Sequence, residues 1–137
     1  MEWSDGKKRC CWANPKNERY IRYHDEEWGV PVYDDGKLFE MLVLECFQAG
    51  LSWECVLNKR EAFRAAFDGF DLEAVCAYGE DKLEALRNDP GIIRNRLKIQ
   101  ASVTMMRNGA FLFTMMGCCL RCWCWNAFRP GCPGNVF

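Results

Sequence analysis

From residue 34 onward the apolar positions recur at helical spacing, and no strand-like alternation of useful length interrupts them. Asp34 or Asp35 stands where an N-cap belongs, ahead of Leu38, Met41, Leu42 and Glu45, and this pattern runs to Gly50. Ser52 caps the next helix, which carries Trp53, Val56, Leu57, Arg60, Phe63 and Phe67 until Gly69 ends it. Asp71 opens a shorter helix with Leu72, Val75 and Cys76. A further helix turns Leu83 and Leu86 inward and must stop at Asp89, because the residue before a proline is pushed out of the helical region. Gly91 supplies a permissive turn there, and the pattern predicts that another helix starts at once, with Ile92, Ile93, Arg96, Ile99 and Val103 along it. Residues 1–33, with Pro15, Gly29 and Pro31, read as irregular. The expected fold class is all-α, in a single domain without repeats or a Ser- or Gly-rich linker.

One acid disturbs this pattern. Offsets of three, four and seven place Glu45 on the helical face of Leu38, Met41, Leu42 and Ala49, so a carboxylate is aimed at apolar surroundings just before the Gly50 turn and Trp53. An unpartnered buried carboxylate rises in pKa or destabilises the fold by several kcal/mol. Two readings are open at this stage: a satisfied structural acid beside a core tryptophan, or a site.

Composition narrows the class further. The 137 residues are 50% hydrophobic and 27% charged, as in a soluble globular domain. The first nine residues lack the apolar run of a secretory signal, and residues 110–120, the longest nearly uncharged apolar stretch, fall short of the roughly 18 a membrane span requires. These features predict a cytoplasmic protein with no membrane partner. Cys46, Cys55 and Cys76 lie inside helical patterns and five of the ten cysteines crowd into residues 118–132, which favours reduced thiols over a disulfide framework. The formal net charge of −1 conceals a segregation: residues 1–89 carry 12 Lys and Arg against 19 Asp and Glu, whereas residues 90–137 carry 6 Lys and Arg and no acid. Arg94, Arg96 and Lys98 open the basic part, which suits phosphate contact as well as it suits a solvated helix face. First-turn amides beside Arg94 would suit a phosphate whatever the base sequence.

Five motifs follow one another in order: Arg9-Cys10-Cys11-Trp12, YHDEEWGVP at 23–31, KLFEMLVLECFQAGLSW at 37–53, VLNKREAFRAAF at 56–67 and PGIIRNRLKIQA at 90–101. Together they resemble the 3-methyladenine DNA glycosylase I family of helix-hairpin-helix base-excision repair enzymes, over about residues 9–104. The resemblance implies an α-helical glycosylase that flips 3-methyladenine out of alkylated double-stranded DNA and hydrolyses its N-glycosidic bond, releasing the free base. It places the family's pocket acid at Glu45 and its pocket aromatics at Tyr23, Trp28 and Trp53. Residues 83–99 become the DNA-holding hairpin, with Gly91, Arg94 and Arg96 at the backbone. It implies a monomer needing no cofactor for catalysis.

The chain departs from that family in its metal ligands and its tail. The family's structural zinc resembles a set of two cysteines and two histidines, of which Cys10 and His24 supply the first half; His24 is the sole histidine. Cys119-x-x-Cys122 offers a Cys₃His replacement on paper. The expected division is an incomplete, C-terminally truncated glycosylase-like domain at 1–104 and a Cys- and Trp-rich tail at 105–137 that does not resemble the family. Out-of-frame translation explains such a tail, since Leu-Gly and Leu-Ala codon pairs shifted by one base give Trp and Cys. Three classes follow: an active glycosylase, a remnant acting at most as a DNA-binding module, and a zinc-binding interaction module built on the tail.

Overall fold

Short polar side chains set where most of the helices begin. A computed structural model of the protein describes residues 6–108, which form an all-α fold without a β-strand among the described residues. Helix α1 (Glu18–Glu26) is capped by Asn17, whose side chain accepts from the Tyr20 amide at 3.3 Å. Helix α2 (Asp35–Gln48) is capped by Asp34, accepting from Lys37 at 2.7 Å, and α3 (Trp53–Asn58) by Ser52, accepting from Cys55 at 3.2 Å. After α4 (Arg60–Ala66) and a 3₁₀ turn (Asp68–Phe70), Asp71 caps α5 (Leu72–Cys76) through the Ala74 amide at 2.8 Å. Helices α6 (Glu80–Asn88) and α7 (Arg96–Arg107) complete the described chain, with Asn95 capping α7 through Lys98 at 3.1 Å. Each such cap is worth about 1 kcal/mol, because it satisfies a first-turn amide that has no intrahelical acceptor.

Three elements differ from the sequence pattern. Residues 18–26, read as irregular, are helical: α1 is polar except for Tyr20, Ile21 and Tyr23, so it has no aliphatic period, and Tyr23 is the buried residue within it. The helix expected from Ser52 to Phe67 is broken at Lys59 (φ −96°, ψ 0°), where no glycine or proline gives warning; the Lys59 ammonium reaches across to the Gly91 carbonyl at 3.1 Å. The helix expected directly after Gly91 begins only at Arg96, because Asn95 is its cap and Ile92 is spent on the core in non-helical backbone.

The core is phenylalanine-rich. Leu38, Phe39, Val43, Leu44 and Phe47 of α2 meet Val56, Phe63, Phe67 and Phe70, with Ile92, Ile99 and Val103 closing the far side. Phe47 and Phe63 meet edge to face at 4.8 Å and Phe67 stacks on Phe70 at 5.5 Å, geometries that add to simple burial. A smaller cluster of Tyr23, Met41 and Leu57 lies beside it, and Trp53 packs against both.

Candidate functional site

Glu45 stands in the last turn of α2, half-buried, with no hydrogen bond or ion pair from a described residue. Burial pushes its carboxyl above the usual carboxylate range. The face assigned to it is the rim of the core and not its centre, since Ala49 is exposed. The acid that α2 does turn inward is Glu40, 5% exposed and neutralised by Arg60 at 2.5 Å and Arg64 at 2.8 Å. The pattern of apolar residues gave no sign of Glu40; its signal is the pair of arginines one turn apart in α4. A satisfied acid and an unsatisfied one thus share a helix.

The turn after α2 requires glycine. Gly50 has φ +82°, a conformation that L side chains rarely adopt, and Leu51 then donates back to the Gln48 carbonyl at 2.7 Å. Trp53 opens α3 two residues later and lies 5.4 Å from Tyr23, their planes tilted by 59°. Its indole Nε1 is buried and has no hydrogen-bond partner among the described residues. Trp28 joins a second aromatic group, stacked on His24 at 5.2 Å and edge-on to Trp12 at 5.2 Å, with Tyr20 5.3 Å from Trp12. The two groups share a floor, because Tyr20, Trp28 and Trp53 all pack on the cluster of Tyr23, Met41 and Leu57. The structure therefore brings together Tyr23, Trp28 and Trp53 and adds Trp12 and Tyr20, which sequence reasoning had not singled out. For Tyr20 the available signal is helical spacing, three to Tyr23 and four to His24; Trp12 precedes α1 and has only its place in the Arg9–Trp12 motif.

Side-chain amides lace α1 to α3. Asn14 and Asn17 both donate to Glu54 Oε1 at 2.8 Å, and Asn17 also reaches Asn58 at 3.0 Å. Arg9 grips Asp25 with both ends of its guanidinium (2.8 and 2.6 Å), which holds that carboxyl well below the usual range.

Cys10 and His24 are brought together, as a shared metal site would need, but through the wrong atoms. The Cys10 amide donates to His24 Nε2 at 3.3 Å, while Nδ1 faces Asp25 Oδ1 at 3.0 Å, so both ring nitrogens are already engaged. No group of three or more His, Cys, Asp or Glu side chains placed to hold a metal occurs among the described residues. Cys10 and His24 are thus two of the four ligands that a closed tetrahedral zinc takes. Cys119 and Cys122, with the rest of residues 109–137, lie outside the described residues.

The turn between α6 and α7 is held by side chains. Asp89 Oδ1 accepts from the Gly91 amide at 2.7 Å, and Lys59 donates to the carbonyls of Pro90 (3.5 Å) and Gly91 (3.1 Å). Gly91 is not in the left-handed region; it is needed for space, since a Cβ there would lie 3.0 Å from Asp89 Oδ1 and 3.2 Å from Ala62 Cβ. Arg94 and Arg96 are exposed and form no ion pair among the described residues. Lys98, grouped with them on charge, is occupied instead: its ammonium binds the Phe47 and Ala49 carbonyls at 3.0 and 2.7 Å and so caps the C-terminus of α2.

The sequence profile of the family described as methyladenine glycosylase matches residues 12–130. The chain belongs to the methyladenine glycosylase family. It is 54% identical over 96 residues to DNA-3-methyladenine glycosylase 1 of Escherichia coli (strain K12), covering 70% of this chain and 51% of that protein. A DNA-3-methyladenine glycosylase of Haemophilus influenzae is 45% identical over 95 residues, or 69% of this chain and 51% of that one. Among solved structures, a crystal structure of 3-methyladenine DNA glycosylase I superposes with a TM-score of 0.71 at 47% identity, covering 80% of this chain and 58% of that one. The Staphylococcus aureus enzyme, in a structure described as giving the basis of 3-methyladenine recognition, superposes at 0.67 with 34% identity, covering 81% of this chain and 58% of that one. The chain thus spans about half the length of the curated glycosylases that it matches. No helix among the described residues is long and apolar enough to cross a membrane.

Proposed function

We propose that this chain is a DNA glycosylase of base-excision repair, which takes 3-methyladenine flipped from alkylated double-stranded DNA and hydrolyses its N-glycosidic bond. The observation that carries the reading is the half-buried carboxylate of Glu45, which has no partner among the described residues of a family member. Methylation at N3 makes the base cationic and a good leaving group. A desolvated carboxylate in the last turn of a helix, where the helix dipole also favours a cation, complements that charge and can accept a hydrogen bond from the exocyclic amine. Cleavage moves the bonding pair of the glycosidic C–N bond onto the departing base, water adds its oxygen to the sugar carbon, and the water's proton passes to solvent.

The flipped base needs apolar faces on both sides, because it leaves its stack behind. Tyr23, Trp28 and Trp53 are the aromatics we assign to it. The unpartnered Trp53 Nε1 supports a polar occupant, since an unsatisfied buried donor costs about 1–3 kcal/mol that a ligand acceptor would recover. Helices α6 and α7 with their turn then act as the helix-hairpin-helix element on the DNA backbone, with Arg94, Arg96 and the amides beside Gly91 toward phosphates. The chain acts as a monomer in the cytoplasm, and no cofactor enters the chemistry. A fluorescence titration tests the pocket: 3-methyladenine should quench the tryptophans saturably and unmethylated adenine should not, and equal response to both would contradict a pocket shaped for the methylated base.

Gly91→Val should weaken duplex binding equally for all sequences, because backbone contacts carry no base information. It should also lower stability by about 1–3 kcal/mol through the contacts its side chain would force on Asp89 and Ala62. Gel-shift titrations on several duplexes decide the first point; a loss that depended on sequence would show that the turn reads bases. For zinc, Cys10 and His24 alone make a poor site. Metal analysis of the full chain, purified under reducing conditions, should find well below one zinc per molecule. One tightly held zinc, lost on Cys119→Ser or Cys122→Ser, would show instead that these cysteines complete the site.

A further inference from the structure

We propose that Arg60 is a positioning residue for the aromatic pocket, acting through Glu27 on Trp28 and Tyr23. The inference rests on the functional reading above. Arg60 is 7% exposed and each nitrogen of its guanidinium is engaged: Nε donates to Glu40 Oε1 at 2.5 Å, and Nη1 and Nη2 donate to the two oxygens of Glu27 at 2.7 and 2.8 Å. One side chain of α4 therefore ties α2 to the end of α1.

The tie lands where α1 stops. Glu27 is the C-cap residue; its amide donates to the Tyr23 carbonyl at 3.0 Å, and the Trp28 amide donates to the same carbonyl at 2.9 Å. Fixing the Glu27 side chain by a two-pronged bond thus fixes the backbone from which Trp28 leaves toward His24 and Trp12. Arg60 Nη2 also lies 3.9 Å from Met41 Sδ, and Met41 belongs to the floor under Trp28 and Trp53. A buried ion pair is weak support for stability, because desolvation offsets most of its attraction and apolar replacements are often tolerated. What a planar fork supplies that a lysine cannot is direction.

The test uses the full chain and reads the pocket twice. Indole N–H resonances of Trp28 and Trp53, assigned with Trp28→Phe and Trp53→Phe, report geometry without any ligand. Fluorescence titration with 3-methyladenine reports affinity. Arg60→Lys should keep helical content, shift the Trp28 indole resonance and weaken the base roughly tenfold, the scale of loss expected from a displacement well under 1 Å. Glu27→Gln should act in the same direction and serves if Arg60→Lys folds poorly. Arg64→Lys touches Glu40 but not Glu27, so it should leave resonance and affinity unchanged. Indole resonances in Arg60→Lys and Glu27→Gln identical to the parent's would overturn the proposal, as would an equal loss in Arg64→Lys. If the parent chain fails to bind 3-methyladenine, the functional reading falls, and the indole shifts still decide whether Arg60 positions Trp28.

Discussion

Glu45→Gln should lower release of 3-methyladenine from alkylated duplex more than tenfold while duplex affinity stays within error. The substitution keeps the shape of the side chain and removes its charge, so what is lost is complementarity to a cationic base and not contact with phosphate. The pH dependence has a definite sign. Burial raises the Glu45 pKa, so the ionised form that attracts the cation is present above that raised value and disappears as pH falls through it. Stability runs the other way. Between the unfolded pKa and the raised folded one the native state holds the extra proton, so ionising Glu45 costs stability as pH rises across that window. The Gln variant should therefore be the more stable protein at neutral pH, with an advantage that fades on acidification. Unchanged excision, or a variant less stable at neutral pH, would remove Glu45 from the account.

Trp53→Ala should weaken binding of free 3-methyladenine by about 1–3 kcal/mol, the range for losing one base–aromatic stack. Trp53 also packs against both apolar clusters, so a stability loss is expected beside it. The two effects separate in Trp53→Phe, which keeps an aromatic face and deletes the unpartnered Nε1 donor. That variant should retain most of the stacking and lose only what the donor contributes. Unfolding midpoints that fall while affinity at low temperature stays intact would return Trp53 to the core.

The helices from residue 34 were legible because their signals are local. Asp34, Ser52 and Asp71 each cap the helix their position announces, and Leu38, Phe63 and Leu83 are buried as their spacing requires. What stayed hidden is tertiary. Helix α1 is stabilised by aromatics against α3 and by Asn14 and Asn17 on Glu54, none of which a 3.6-residue period of aliphatics records. The break at Lys59 and the diversion of Lys98 to the carbonyls of Phe47 and Ala49 come from bonds between residues 32 to 51 apart. Charge counting could not separate Lys98 from Arg94 and Arg96, since all three are equivalent until the fold gives one of them an acceptor. Glu45 was visible as an acid in an apolar pattern, but not the buried Glu40 five residues before it, because only the folded chain shows which of the two is satisfied. The pocket aromatics came from motif resemblance; Trp12 and Tyr20 emerged from ring geometry.

The most direct test of glycosylase activity is release of free base from methylated duplex DNA by the 137-residue chain, resolved chromatographically and compared with its Glu45→Gln variant. 3-Methyladenine should appear in the soluble fraction with the parent chain and be at least tenfold less abundant with the variant. No release by a chain that still binds duplex would contradict that activity and leave a DNA-binding remnant of the family.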